Sequence, residues 1–174
     1  MHALQSRKSS RAFEPRALPS ELLSTLLWVA FGINRRDTGG RTAPSAHNWR
    51  EIGLYAALRD GVYRYDALAH ALRLVVAGDL RPLTGVQDFV SLAPLNLVYV
   101  ADFARMHEAS AEERAFFAAA DAGVIAQNVY LFCASSGLAT VVRGLVDRKR
   151  LAPAIGLRVE QRIVLAQTVG FPAA

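Results

Sequence analysis

The chain has 174 residues, of which 52% are hydrophobic and 20% charged, and its formal net charge is +5. A chain of this length typically forms one domain, so residues 1–174 are expected to share one core. Its single cysteine excludes an intramolecular disulfide, and the lack of a basic run of five or more residues argues against a nucleic-acid interface. The hydrophobic surplus predicts a further buried face, such as a homodimer interface, although many of these residues are alanines.

The first half of the sequence predicts helices followed by strands. A short helix is expected near the N-terminus, at about 2–6. The next helix begins with Ser20 as its N-cap and ends at Gly32, because leucines recur between them at helical spacing. A polar loop is expected at 33–43. The other elements of this half are strands at 50–58 and 62–66, an ambiguous helical turn and strand at 67–79, and a helix at 85–93.

The second half predicts a buried strand and a long central helix. The apolar run PLNLVYVADF at 94–103 is typical of a buried strand. Ser110 and Glu113 form a capping box that begins a helix of about 110–136, which is apolar nearly all round and so expected to be largely buried. A short strand at 139–144, a broken helix at 147–156 and a strand at 161–170 follow. This interspersed order predicts an α+β layered domain.

Compartment and membrane signals are weak. The N-terminus MHALQSRKSSR lacks the apolar core of a signal peptide. The longest apolar stretches are LLSTLLWVAFGI and VIAQNVYLFCA, which are too short or too interrupted to span a membrane. A cytoplasmic protein without a membrane partner is therefore expected.

The usual catalytic motifs are missing from the sequence. The four histidines have no metal-ligand spacing, and neither GxSxG, Walker A nor GxGxxG occurs. Asp121 lies inside the long apolar helix, where a capped or paired structural aspartate is the favoured interpretation. What remains is a potential anion site beside apolar surface, which suits a cofactor that carries its own chemistry.

The cluster RKSSR at 7–11 is the candidate anion site. Arg7 can donate a bidentate pair of hydrogen bonds to a phosphate, and Ser9 can add another. Arg11 lies one helical turn beyond Arg7. The alternative interpretation is an exposed terminus without a ligand.

Taken together, these segments resemble the FMN-dependent nitroreductase family over nearly the whole chain. The stretch SRKSSRAF at 6–13 is similar to the family's Arg-x-Ser-x-Arg signature, and TAPSAHN at 42–48 to its Pro-Ser-x-x-Asn turn. DAGVIAQNVYLFCASSGLAT resembles the family's central helix, and VLAQTVGFP its closing strand. LLWVAFGINRR and GVYRYD look closest to the SagB-type dehydrogenase branch.

The resemblance implies a nitroreductase-like fold with a mixed or antiparallel central sheet flanked by helices, in an intertwined homodimer. Two FMN molecules would lie at the subunit interface. The implied activity is hydride transfer between NAD(P)H and a small organic acceptor, such as a nitroaromatic or a quinone, by a ping-pong mechanism. The flavin would carry the hydride, so no catalytic side chain and no metal is expected.

The same resemblance assigns cofactor contacts residue by residue. Arg7 and Ser9 match the phosphate and ribityl contacts, with Lys8 beside them. Arg11 matches the cation at the flavin N1 and O2 edge, where it would have an electrostatic role. Gly144 matches the glycine whose backbone N–H lies near N5 and O4.

The Pro-Ser turn supplies the remaining implied contacts. Pro44, Ser45 and Ala46 match the turn that packs against the flavin ring. Asn48 matches an amide that hydrogen-bonds the flavin, often from the second subunit. Gly170 matches the closing motif.

The sequence departs from the family pattern at its end. The printed chain stops at Ala174, so the basic segment with which longer nitroreductases contact the phosphate is expected to be missing. Arg143 and the DRKR group at 147–150 are candidate substitutes. One alternative function is a flavin-binding accessory protein of a SagB-type peptide-modifying complex with little turnover. Another is a nucleic-acid-binding domain, which only the positive charge supports.

Overall fold

A six-stranded sheet forms the centre of the computed structural model, which describes residues 1–173. Every strand pair described within it is antiparallel, and the strand order is β5-β4-β3-β6-β8-β7. A separate two-stranded ribbon joins β1 and β2. The strands are β1 (Ile33–Arg35), β2 (Gly40–Arg41), β3 (Ile52–Ala57), β4 (Gly61–Asp66), β5 (Ala71–Ala77), β6 (Leu95–Asp102), β7 (Ala139–Arg143) and β8 (Gln161–Gly170).

Helices cover both faces of this sheet. They are α1 (His2–Ser6), α2 (Ser20–Phe31), α3 (Phe89–Leu92), α4 (Ala111–Ser135) and α5 (Arg148–Ala154). The main core lies on one face, where α2 and α4 pack on alternate residues of β3 and β6 such as Leu54 and Leu97. A smaller core on the other face joins α5 to the opposite residues of the same strands, such as Tyr55 and Val98. The predicted α+β class, with an antiparallel sheet flanked by helices, is confirmed.

Helix α4 is only partly buried. The predicted capping box is present, with Ser110 Oγ accepting the Glu113 N–H and Glu113 Oε2 accepting the Ser110 N–H. One face is buried and contains Asp121, whereas Phe116 and Val124 on another face are 66% and 40% exposed.

By length and composition α4 is apolar enough to cross a membrane, which corrects the prediction that no such stretch exists. Its buried face packs on α2 and the sheet. Because α4 packs in the core, its apolar composition needs no membrane to explain it.

Several local predictions were wrong. Ser20 is the first residue of α2 rather than its cap, because Pro19 occupies the cap position and no side chain accepts a hydrogen bond there. The expected loop at 33–43 contains the β1–β2 ribbon, and the helix expected at 85–93 is only the single turn α3. The ambiguous stretch at 67–79 forms β5 after a turn.

Candidate functional site

The segment Arg7–Arg11 runs beside β7, at one edge of the sheet. The Ser10 N–H donates to the Thr140 carbonyl at 3.0 Å, which extends the pairing of that edge. Beyond it, Phe13 pairs with Pro172 in an isolated bridge. These contacts give the segment a defined path, so it is not a free terminus.

Tyr130 of α4 positions the arginine and the serine of this segment. Its hydroxyl lies 2.8 Å from Ser9 Oγ and accepts the Val142 N–H at 3.0 Å. The Arg7 guanidinium lies over the Tyr130 ring, 5.3 Å from its centroid, in a cation–π contact. Either hydroxyl can donate in this pair, and when Tyr130 donates to Ser9, the Ser9 O–H can donate to a ligand.

The cations of the segment are available to an anion. Within residues 1–173, no ion pair engages Arg7, Lys8 or Arg11. Lys8 and Arg11 are exposed, and Lys8 lines a cavity of about 300 Å³ together with Cys133. Cys133 itself is buried in the core.

The two predicted glycines have different surroundings. Gly144 follows β7 and is exposed, and a Cβ atom built there would meet no atom within 4 Å. A Cβ on Gly170 would lie 2.7 Å from Cδ of Pro94 and 3.3 Å from Cδ1 of Phe13. The structure therefore gives Gly170 a packing role, and its cofactor contact stays a prediction.

The Pro44–Asn48 turn has an unusual backbone. His47 and Asn48 both adopt left-handed conformations, with φ of 48° and 56°. The Ser45 Oγ atom accepts the Arg50 N–H at 2.8 Å and donates to Glu51 Oε2 at 3.1 Å. Since a hydroxyl has one hydrogen, Ser45 could serve a ligand only as an acceptor.

Two buried carboxyl groups accept hydrogen bonds from the turn. The Ala46 N–H donates to Asp121 Oδ2 at 2.8 Å, so Asp121 is the paired structural aspartate that was expected. Burial and, to a smaller extent, the Asp121 charge raise the pKa of Glu51 to about 7. The buried Oε1 of Glu51 accepts no hydrogen bond among the described residues, which fits a protonated carboxyl.

Asn48 lies at the exposed end of the turn. Its Oδ1 accepts a hydrogen bond from Arg50 Nε at 2.8 Å, and the residue is exposed. His47 packs on Trp49 and Phe117, with ring centroids 4.5 and 5.8 Å away.

One chain does not bring the turn and the Arg7–Arg11 segment together. The turn contacts α4 at Asp121, whereas the segment contacts it at Tyr130. Positions 121 and 130 are nine steps apart in the helix, which is about 13.5 Å along its axis. Gly144 belongs to the second location, because it follows the strand whose Val142 N–H reaches Tyr130.

The prediction that Arg143 could replace the missing phosphate contact is wrong. It is 5% exposed and donates to the Thr84 carbonyl, Asn96 Oδ1 and Thr168 Oγ1. Burial lowers its pKa to about 10. In the DRKR group, the Arg148 guanidinium donates to backbone carbonyls, including that of Gly144 at 3.0 Å.

Sequence reasoning missed Tyr130 and Glu51. A tyrosine inside an apolar helix is typical of a core residue, and its contact with Ser9 spans 121 positions of the chain. Glu51 directly precedes an apolar strand, and this placement of a charge was the available signal for a buried carboxyl group.

A comparison with protein-family models identifies the class of this protein. The model described as "Nitroreductase family" matches residues 4–171. The chain therefore belongs to the nitroreductase family, and the family predicted from its motifs is confirmed.

Named relatives agree with this assignment. The protein named "Putative nitroreductase MJ1384" of Methanocaldococcus jannaschii is 30% identical over 151 residues, which cover 81% of this chain and 76% of the relative. A crystal structure described as "a putative nitroreductase" from Ralstonia eutropha JMP134 is 49% identical, with a TM-score of 0.95. That match covers all of this chain and 83% of the other.

A microcin synthetase complex contains a chain with the same fold. A chain of the E. coli microcin synthetase McbBCD complex, solved with truncated pro-MccB17 bound, superposes with a TM-score of 0.82. The match covers all of this chain and 74% of that chain, at 18% identity. At this identity the similarity shows a shared fold.

Proposed function

We propose that the protein is an FMN-dependent oxidoreductase that transfers hydride between NAD(P)H and a small organic acceptor, such as a nitroaromatic or a quinone. Both substrates would use the same face in turn, in a ping-pong sequence. The observation that carries the proposal is the set of free donors on Arg7 and Ser9, positioned by Tyr130 in a chain of the nitroreductase family.

The residues present fit the phosphate end of FMN. The guanidinium of Arg7 offers a planar pair of donors that matches phosphate oxygens, and the Ser9 O–H adds a third. Lys8 supplies a further positive charge from an exposed position. At Gly144 the absence of a Cβ leaves space for a flavin edge to approach the backbone.

Bound FMN would supply reversible hydride acceptance. In this proposal, Arg11 would place a positive charge near the N1 and O2 edge, where it would stabilise negative charge on the reduced ring. Pro44 and Ala46 would form a wall that excludes water from one side of the ring. The N–H of Ala46 is already bonded to Asp121, so the wall is held by the protein itself.

A second copy of the chain would complete the site. The turn and the Arg7–Arg11 segment lie far apart on α4, and the exposed Phe116 and Val124 give that helix an apolar face for a partner. We therefore propose a homodimer in which Asn48 reaches the flavin of the neighbouring subunit. A monomer by light scattering in the presence of FMN would rule this arrangement out.

Colour and turnover test the proposed function. The purified protein should be yellow, and the chromophore released by heat should migrate as FMN in chromatography. NADH or NADPH should then reduce the bound flavin, and a quinone or nitroaromatic should reoxidise it. A colourless protein that FMN cannot reconstitute would overturn the proposal.

The microcin synthetase similarity favours one second candidate, a flavin-binding accessory protein of a peptide-modifying complex with little turnover of its own. It shares the flavin site with the first candidate and differs in catalysis. A yellow protein that shows no steady-state NAD(P)H oxidation with either acceptor class would select this second function. We expect a cytoplasmic protein in both cases.

A further inference from the structure

A cleft opens inside the sheet because β3 and β4 pair over only part of their length. Their ladder joins Tyr55–Ala57 to Val62–Arg64, and beyond it the two strands separate. A cavity of about 350 Å³ lies at this separation, with Gly53 and Leu54 in its wall. This volume lies in the range of small-molecule sites.

Five arginines line this cavity, which we name the arginine cleft. Asp66 is the one carboxylate among the lining residues, and its Oδ2 already accepts from Arg73 Nε at 2.8 Å. The five are Arg41, Arg50, Arg64, Arg73 and Arg105.

Backbone carbonyls hold three of these side chains in place. Arg41 Nη1 donates to the Phe31 carbonyl at 2.9 Å, and Arg105 Nη1 donates to the Arg50 carbonyl. Arg50 itself donates to the Thr38 carbonyl. Carbonyl oxygens orient a guanidinium without cancelling its charge, so the positive charge of the cleft remains.

The cleft brings like charges close together. Arg64 and Arg73 lie directly opposite each other in β4 and β5, where like charges repel. Burial lowers the pKa of Arg41, and the neighbouring charges of Arg50 and Arg105 lower it further. The Arg41 Nε atom is buried and has no hydrogen-bond acceptor within residues 1–173.

We propose that the arginine cleft binds a small organic molecule that carries two neighbouring anionic groups, as a diphosphate or a dicarboxylate. Five guanidinium groups against one carboxylate leave more positive charge than a single anionic group would neutralise. Phe31 and Leu68 also line the cavity, so an organic remainder would have apolar surface to contact. The proposal holds whether or not the chain binds a flavin.

Titration calorimetry on the purified protein tests the site with two probes, inorganic pyrophosphate and succinate, at matched ionic strength. Arg64→Gln and Arg105→Gln should each weaken the better probe about tenfold or more, since each removes a charge-assisted hydrogen bond. Lys149→Gln is the matched control, because it removes one positive charge from a residue that does not line the cleft. It should change the affinity less than about twofold.

The outcomes separate the ligand classes and the sites. Tighter binding of pyrophosphate assigns the cleft to diphosphates, and tighter binding of succinate assigns it to dicarboxylates. Binding of neither probe, or equal weakening by Lys149→Gln, overturns the proposal. Binding lost in Arg7→Ala and kept in Arg64→Gln also overturns it, because the anion then lies at the Arg7–Arg11 segment.

Thermal unfolding adds a readout that a purely structural arginine would not give. Without a probe, Arg64→Gln should unfold at a higher temperature than wild type, because it relieves the repulsion with Arg73. The better probe should raise the unfolding temperature of wild type more than that of the variant. A lower unfolding temperature for probe-free Arg64→Gln would show that Arg64 stabilises the fold, against the proposal.

Discussion

The Arg7–Arg11 segment and the Pro44–Asn48 turn both contact α4, but their polar groups are used differently. In the turn, the Ser45 hydroxyl and the Ala46 N–H are bonded to Glu51 and Asp121. In the segment, the cations have no ionic partner among the described residues, and the Ser9 hydroxyl can donate outward.

This difference separates two tasks within one proposed site. The turn is held by buried groups of its own chain, so it can keep the shape of a wall before any ligand arrives. The segment keeps its donors free and gains its order from Tyr130 and β7. Changes in the turn should therefore act mainly on stability, and changes in the segment mainly on ligand affinity.

The largest effect on stability is expected at Asp121. Asp121→Ala leaves the Ala46 N–H without an acceptor in a partly buried position and should lower the free energy of unfolding by about 2–3 kcal/mol. Asp121→Asn keeps an acceptor oxygen and should lose less. Urea denaturation measures both; equal stability of Asp121→Ala and wild type would mean that the turn is held by other contacts.

Gly170 and Gly144 have opposite surroundings, so their alanine variants can be compared. Gly170→Ala places a methyl group against the rigid Pro94 ring and should cost about 2 kcal/mol of unfolding free energy. Gly144→Ala meets open space and should change stability by less than about 0.5 kcal/mol. If Gly144 lies against the flavin, its variant should nevertheless retain FMN less tightly, which fluorescence of the released flavin can report. Unchanged FMN retention in Gly144→Ala would remove Gly144 from the site.

The Glu51 carboxyl should make stability depend on pH. Its pKa is about 7 in the folded protein against 4.5 ordinarily, so below pH 4.5 both states hold the proton. As the pH rises from 4.5 to 7, Glu51 loses its proton in the unfolded state but keeps it in the folded state, so the free energy of unfolding falls. We expect a loss of about 1–2 kcal/mol between pH 5 and 8, where the folded and unfolded states differ in their bound proton.

Glu51→Gln isolates this contribution. The variant cannot titrate at position 51, so its urea midpoint should fall less than that of wild type over the same pH range. Parallel pH profiles for the two proteins would contradict a neutral, buried Glu51.

The smallest expected change is at Arg11, whose side chain is exposed. Removing its charge from the reduced flavin should lower the two-electron reduction potential by on the order of 20 mV, because solvent screens the contact. A xanthine oxidase titration against a reference dye would measure this. An unchanged potential in Arg11→Ala with FMN still bound would remove the electrostatic role.

The regular elements of the fold were predictable because their signals are local. The capping box of Ser110 and Glu113 and the apolar run of β6 located α4 and the central strand. The ribbon of β1 and β2 escaped prediction because strands of three and two residues show no alternation.

The motifs of the candidate site could be predicted from the sequence, but the hydrogen bonds that hold its residues in place could not. Four short motifs in family order indicated Arg7, Ser9 and Asn48 as contacts. The bonds that hold them join residues far apart in sequence, such as Ala46 with Asp121, and no local pattern encodes such pairs. Arg143 is the opposite case. Its charge suggested a contact with a ligand, but its guanidinium donates hydrogen bonds to buried groups of the same chain.

The central claim is that the Arg7–Arg11 segment binds the flavin phosphate, and the FMN affinity of Arg7→Ala tests it most directly. Fluorescence titration of flavin-free protein should show FMN binding about 10- to 100-fold weaker than wild type, because a charged pair of hydrogen bonds to phosphate is lost. Riboflavin, which has no phosphate, should bind both proteins alike. Equal FMN affinity in Arg7→Ala and wild type would contradict the account.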